Sequence, residues 1–377
     1  MTDKPYELID TEDAWRACIQ QLRQAPRLAV DIEANSLYAY REKICLIQIS
    51  TDTLDYIIDP IAGFELAGLD AIFADPAIEK VFHAADYDIS LIKGLYGWEI
   101  QHLFDTMWAG RLLGFTKMGL AWFLETLYDI TLSKKHQKAD WAHRPLTEEQ
   151  LLYARNDTHY LLRMRDDLGK QLAETGLEEE AREIFQELCL LDPHERLFDP
   201  DGFWKLKGTR TLPPRAQAVL KALFVFRDRE AKRRDVPPFK VMNNQLLMRL
   251  ATQAAQWDGS PPEKLEGIPG IPDKQLGRLK PRVLKVVNAA LNAPTPKYPE
   301  SNRSAPPGYW QRYEALMQWR KEIARQRGVE SDVIVGRRTL EEIAEKFPRS
   351  GQDLDAIESL GPCRKKRYGA AILRALD

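Results

Sequence analysis

The chain has 377 residues, 44% hydrophobic and 29% charged, which supplies packed cores for two or three domains and excludes a disordered or fibrous protein. No apolar run approaches the roughly 18 to 20 residues of a membrane span, and the acidic start MTDKPYELIDTED lacks the character of a targeting segment, so a soluble cytoplasmic protein is expected. The net charge of -2 hides an asymmetry: residues 1–192 carry 19 Lys and Arg against 34 Asp and Glu, a net of -15, whereas 193–377 carry 35 against 22, a net of +13. Such a split suits either two unrelated solvated surfaces or a basic half that attracts a polyanion. The four cysteines, Cys18, Cys45, Cys189 and Cys363, are scattered without CxxC spacing, which argues for reduced thiols over a disulfide framework or a structural zinc site.

In chain order, short β-branched runs predict strands over 28–33, 44–49 and 56–58 as consecutive members of one sheet. A helix over 65–73, a strand over 80–82 and helices over 84–95, 106–113, 120–128 and 147–172 follow, the last being the longest of this set. The pattern is an α/β domain with a mixed sheet, occupying 1–192. After a loop-like stretch at 192–214, a helical block at 209–293 is joined to another at 308–377. The joint is a linker over 294–307 with five prolines in fourteen residues, expected to leave some mobility between the two blocks. The blocks are copies of one unit. At an offset of 93, Leu223, Arg227, Ala231, Arg234, Val236, Leu247 and Ala251 match Leu316, Arg320, Ala324, Arg327, Val329, Leu340 and Ala344; at 89, Leu265, Ile268 and Leu284 match Leu354, Ile357 and Leu373.

Asp31 and Glu33 sit two apart on a strand, on one face and about 7 Å apart, so they are either solvated at the strand end or share a cation. Asp88, in HAADYD after a strand, can complement a helix dipole, as can Asp86. Tyr153 and Asp157, four apart, share a helix face; singly they read as a core ring and an exposed charge. The combination is what points to chemistry: four acids in three segments with a phenol one turn away form a hard oxygen set that suits Mg²⁺ or Mn²⁺ and argues against zinc.

Taken together, LAVDIE, FHAADYD and YARND, the last preceded by KADWAHRPLTEEQ, resemble the three exonuclease motifs of the tyrosine-bearing branch of the DEDD superfamily, and specifically the ribonuclease D family. The duplicated blocks resemble HRDC domains, and the resemblance covers nearly the whole chain. It implies an RNase H-like exonuclease fold followed by two small all-α HRDC domains. The exonuclease segment also resembles the ribonuclease D-like subunit of the eukaryotic exosome, but the duplicated module favours the bacterial type. By the same resemblance, Asp31, Glu33, Asp88 and Asp157 are the carboxylates that bind two divalent cations, and Tyr153 orients the attacking water. The implied activity is hydrolysis of RNA from a free 3′ end to nucleoside 5′-monophosphates, as in trimming tRNA precursors, by a monomer. One departure is Ala34, where many relatives carry an aromatic residue that can stack on the terminal base; Leu37, Tyr38 and Tyr40 are the candidates to replace it.

Other residues carry two readings each. Trp141 and Arg144 are candidates for contacting RNA, with packing of Trp141 under the last helix as the alternative, and Lys135 and Lys138 share that polar loop. His83 is read as structural, and His136, His143 and His159 as surface or supporting groups. In the basic half, Arg234, Arg327, Lys365 and Arg367 are candidate phosphate contacts. Two rival functions remain at this point: an exonuclease on DNA, separable by comparing matched RNA and DNA strands, and a non-catalytic RNA-binding adapter, whose mark would be loss of an acid that this chain retains.

Overall fold

The computed structural model describes residues 4–194, 197–257, 276–299 and 305–377. They form two compact units: Met1–Ala34 with Ile44–His194 and Arg303–Asp377, and Asn35–Lys43 with Glu195–Asn302. Leu265 and Ile268 of the aligned repeat, and part of the proline-rich linker, lie outside the described residues.

The first unit is built on a mixed six-stranded sheet of β1 (Tyr6–Ile9), β2 (Arg27–Ala34), β3 (Ile44–Ser50), β4 (Asp55–Ile58), β5 (Glu79–Phe82) and β6 (Leu103–Asp105). Its order is β1-β4-β3-β2-β5-β6. The three strands expected to be consecutive form the antiparallel centre, and β1, β5 and β6 extend it by parallel pairing. Every residue of β3 is buried, which is why it reads as a nearly continuous apolar run. Strands β1 and β6, four and three residues long, are not among those expected from the sequence.

Helices α1 (Glu12–Leu22), α2 (Leu69–Ala74), α3 (Asp86–Tyr96), α4 (Thr106–Leu112), α5 (Leu120–Tyr128), α6 (Glu148–His159), α7 (Leu161–Glu174) and α8 (Glu178–Cys189) flank the sheet. The single helix expected over 147–172 is in fact two, broken at Tyr160. The reason lies in what each half buries. Leu151 and Ala154 of α6 pack with Cys45, Ile57 and Trp141, whereas Leu161, Met164, Leu168 and Leu172 of α7 join the main core with Phe82 and Phe104. The break lets each segment serve its own cluster. At the other end of α6, Thr147 and Gln150 form a reciprocal capping box that fixes where the helix starts.

The duplication expected from sequence recurs in three dimensions. In the second unit, helices Pro214–Arg234, Asn244–Ala254 and Lys280–Leu291 enclose Leu223, Leu247, Val283 and Val287. In the first, helices Tyr309–Arg327, Arg337–Lys346 and Pro362–Leu376 enclose Leu316, Leu340, Ile343 and Ile372. Arg227 and Arg320, matched at the offset of 93, are both buried. Their Nη1 atoms donate to the carbonyls of Met242 at 3.2 Å and Val335 at 3.1 Å, positions that also match at that offset. Both long helices end on a left-handed residue, Asp235 (φ 46°) and Gly328 (φ 67°).

The C-terminal helical module is joined to the α/β domain by buried ion pairs on α8. Glu180, fully buried, accepts from Arg327 Nη1 at 2.7 Å, from Arg367 and from the Tyr368 hydroxyl at 3.3 Å. Glu183 takes Arg364 Nε at 2.5 Å and the Cys363 N–H at 2.7 Å, and Glu187 also meets Arg364. On α4, Arg111 pairs with Glu330 at 3.0 Å and Asp332 at 2.5 Å. Between these pairs Val333 enters the core of the α/β domain. The module is therefore part of the same compact unit as the sheet.

Candidate active site

Three elements bring the sequence-predicted acids to one place. Asp31 and Glu33 are half-buried near the end of β2. There the β2–β3 register passes from Glu33 opposite Leu46 to Ala34 opposite Ile44, leaving Cys45 as an extra residue. Such a bulge sharpens the local twist and re-aims the side chains beside it. Asp157 on α6 completes a group with Asp31 and Glu33, whose carboxylate oxygens all lie within 4.8 Å of one another. Asp88, in the first turn of α3, is 8% exposed.

The charges acting on these groups are their own. Burial first, then the charges of Asp31, Asp157 and Asp88, push the Glu33 carboxyl up to about 10. Burial raises Asp31 to about 7 against a partly offsetting N–H from Ile32. Asp88 is raised by burial and by Asp31, Asp105, Asp157 and Asp86, and Asp157 by burial and Asp31. Carboxylates gathered this closely without a compensating cation store repulsion that a divalent ion would relieve. An all-oxygen donor set of this kind fits Mg²⁺ or Mn²⁺.

Tyr153, one turn before Asp157, borders the same cleft. Its hydroxyl is raised by burial and by the charges of Asp157, Glu33 and Asp31, so it stays protonated at neutral pH. Its ring lies 5.8 Å from that of Trp141 and 6.2 Å from that of His136. The cleft encloses about 530 Å³. Beyond the acids it is lined by Lys117, Trp122, Lys134 and Gln137, none of which the sequence reading singled out. Isolated lysines in polar loops carry no spacing signal, so nothing in the sequence marked them.

His83 is structural, as expected. Its Nε2 lies 2.8 Å from the Met118 carbonyl and its Nδ1 lies 2.9 Å from Thr106 Oγ1. Burial lowers its pKa to about 4 against the opposing bond to Met118, so the ring is neutral and Nε2 carries the proton that Met118 accepts.

Several candidate RNA contacts prove to be occupied elsewhere. Trp141 is 1% exposed and packs beneath α6, the packing alternative, so its face is closed to a base. The Arg144 guanidinium forks onto the Asp59 carboxylate, Nε at 2.6 Å and Nη2 at 2.8 Å, and reaches the Trp141 and Cys45 carbonyls, so it braces the loop. Arg327 and Arg367 are drawn to Glu180, because that acid is buried and needs their charge more than solvent does. Lys365 is half-buried and donates to the Asp355 carbonyl at 3.2 Å. Arg234 is exposed in the last turn of its helix. Of the neighbouring loop lysines, Lys135 pairs with Glu149. The candidates to replace the aromatic missing at Ala34 lie in the second unit. There the Tyr40 hydroxyl donates to Asp228 at 2.8 Å, Tyr38 lies under Lys240, and Leu37 is exposed.

The helix that carries Tyr153 and Asp157 is held to the sheet by a buried acid. Asp55 of β4 accepts from Arg155 Nε at 3.0 Å, contacts His159 Nδ1 at 2.5 Å and pairs with Lys4 at 3.0 Å. Burial alone would raise the Asp55 carboxyl, but its bonds to His159, Ser50 and Lys4 prevail and hold it at about 2. A folded-state pKa below the unfolded one stabilises above the unfolded value and is lost on acidification. Between pH 4 and pH 2 the protein is therefore expected to lose roughly 1 to 2 kcal/mol from this group, and Asp55→Asn to flatten that part of a stability profile measured by urea denaturation.

Comparison with known proteins identifies the family. The 3'-5' exonuclease family profile matches residues 6–173 and the HRDC domain profile matches 216–287 and 311–376. The Exosome complex component 10 homolog of Caenorhabditis elegans is 36% identical over 256 residues, covering 67% of this chain. The chain spans only 29% of that relative's length. Ribonuclease D of Acidiphilium cryptum is 30% identical over 303 residues, covering 80% of this chain and 76% of the relative. The crystal structure of Escherichia coli RNase D, described as an exoribonuclease involved in structured RNA processing, superposes with a TM-score of 0.70 at 25% identity over 98% of each chain. With an exonuclease sheet, paired HRDC modules and a relative matched along three quarters of its length, the chain belongs to the ribonuclease D family of 3′–5′ exonucleases.

Proposed function

We propose that the protein hydrolyses RNA one nucleotide at a time from a free 3′ end, releasing nucleoside 5′-monophosphates, and that tRNA precursors are among its substrates. The observation that carries this reading is the convergence of Asp31, Glu33 and Asp157 with the buried Asp88 beside a protonated Tyr153. The four carboxylates would hold two divalent cations, which when bound lower the cost of deprotonating the attacking water and neutralise charge on the phosphate and the leaving 3′ oxygen. The chain's own groups do the rest. Tyr153, with its proton retained, donates or accepts a hydrogen bond to orient the water and does not act as the base. Its ring is set by packing against Trp141, so the hydroxyl is aimed before substrate arrives. Lys117 and Lys134 on the cleft wall offer positive charge to the phosphates of the terminal nucleotides, which positions the strand without reading its sequence. The tRNA assignment draws support from the basic residues of 193–377 that stay exposed, such as Lys232, Arg234 and Lys366, since Arg327, Arg364 and Arg367 are turned to the α8 glutamates.

The test is a 3′-extended tRNA labelled at its 5′ end. With Mg²⁺ or Mn²⁺ a ladder shortening from the 3′ end is expected, and EDTA should abolish it. RNA left intact under every metal condition would sink the reading, and equal rates on matched DNA would widen the substrate class.

A further inference from the structure

Asp105 is an acid that the chemistry above does not use. It ends β6 and is fully buried, and among the described residues no ion pair with a Lys or Arg accounts for it. Its partners are backbone donors. Oδ2 accepts from the Ala85 N–H at 2.7 Å, and Oδ1 from the Ala84 N–H at 3.3 Å and the Trp108 N–H at 2.9 Å. One carboxylate thus caps α4 and grips the two residues that lead into α3.

Those two residues decide where Asp88 sits. Ala85 is the N-cap of α3 and makes no side-chain capping bond of its own; the entry to the helix is held instead by the Ala85 N–H itself, which Asp105 accepts. Ala84 has φ 65°, a left-handed conformation that an alanine holds only when its surroundings impose it. Thr106, next to Asp105, reinforces the turn through its hydroxyl, which lies 3.0 Å from the Phe82 carbonyl and 2.9 Å from His83 Nδ1. The start of α3 is therefore fixed from β6 and α4, and Asp88 lies three residues beyond the gripped N–H. A burial-driven account does not explain why an acid stands here, since Asp105 adds to the repulsion on Asp88. A group kept in spite of that cost has a geometric task.

We infer that Asp105 is a positioning residue: through the Ala84–Ala85 turn it sets the depth and rotation at which Asp88 faces Asp31 and Asp157. This rests on the metal-dependent nuclease reading and extends it to a residue outside the ligand set. Partners that orient a ligand typically alter metal affinity or activity about 10- to 100-fold when replaced.

The test compares the full chain with Asp105→Asn, which keeps the shape but sets an NH₂ group against the backbone donors. Three quantities are read: Mn²⁺ affinity by titration calorimetry without RNA, kcat and KM on a labelled RNA, and melting temperature. The expected result is an affinity for Mn²⁺ lower by about 10-fold and a kcat lower by about 10- to 100-fold, with KM within about twofold. In an Asp88→Asn background the same substitution should cost little further affinity, because its route is gone. If the variant melts earlier yet keeps parental Mn²⁺ affinity and kcat, Asp105 is only a structural cap and the inference is overturned. Should Asp105→Asn fail to fold, Thr106→Val loosens the same turn without introducing a bulky group. A kcat reduced several-fold at unchanged KM supports the inference, and parental values overturn it. A parent protein that neither binds Mn²⁺ nor degrades RNA overturns the nuclease reading and this inference with it, whereas loss of the positioning role alone leaves the parent active.

Discussion

Asp157→Ala is expected to reduce kcat on a 3′-extended RNA by at least about a thousandfold, equivalent to about 4 kcal/mol of transition-state stabilisation, while RNA affinity changes only a few-fold. The same substitution should make the metal-free protein more stable. Asp157 is raised by burial and by Asp31, and it contributes to the repulsion on Glu33 and Asp88, so removing it relieves a conflict among three neighbours. A site that is strained when empty is a cost that function imposes on stability. Thermal melts in EDTA and in excess Mn²⁺ separate the two effects. The variant should melt above the parent in EDTA, and its Mn²⁺-induced gain should shrink or vanish. A variant that loses activity and melts lower in both conditions would show that Asp157 is a structural acid and not a ligand. Tyr153→Phe keeps the ring against Trp141 and is expected to cost kcat about a hundredfold with little change in either melt.

The second large effect lies far from the chemistry. Arg364→Ala should destabilise the unit that joins the sheet to the C-terminal module by about 3 kcal/mol, because it leaves Glu183 buried without its cation. Arg364 is 3% exposed and Glu183 7%, so water cannot substitute for the missing charge. The contrasting control is Arg337→Ala. Arg337 pairs with Glu341 at 2.7 Å, but the two side chains are 81% and 42% exposed, and the change should leave stability close to the parent's. Urea denaturation of the two variants decides the matter. Equal small losses would mean that the α8 ion pairs are dispensable and that Val333 and its apolar neighbours hold the module alone.

The gathering of the acids was legible because each of its parts leaves a local mark. Asp31 and Glu33 show their common face through strand parity, Tyr153 and Asp157 through helix spacing, and the order of the motifs supplied the rest. What was not legible depended on tertiary partners. Trp141 and Arg144 sit in a polar loop; the sequence leaves Trp141 open between RNA contact and packing, and the fold decides for packing under α6 and sets Arg144 on Asp59. The charge asymmetry misled in an instructive way. Arg327, Arg364 and Arg367 belong to the basic half, yet they answer Glu180, Glu183 and Glu187 of the acidic half, so part of the imbalance is spent inside the molecule. A net charge summed over a sequence segment does not say whether its counter-charge is solvent, substrate or another segment of the same chain. Asp105 was hidden for a different reason: an acid before a helix reads as an ordinary cap, and its grip on Ala84 and Ala85 joins segments twenty residues apart.

The repeated arginine interior bears on how freely the two helical copies can trade places. Arg227 and Arg320 and the left-handed caps at Asp235 and Gly328 preserve one internal scaffold. At the offset of 89 the first copy carries Gln275 where the second has Arg364. A chimera with the first copy in the second position would be expected to fold as a module, yet it would leave the α8 glutamates without their full set of arginines. Of the three arginines that meet α8, Arg327 and Arg367 match Arg234 and Arg278 of the first copy, and Arg364 alone stands opposite a neutral residue.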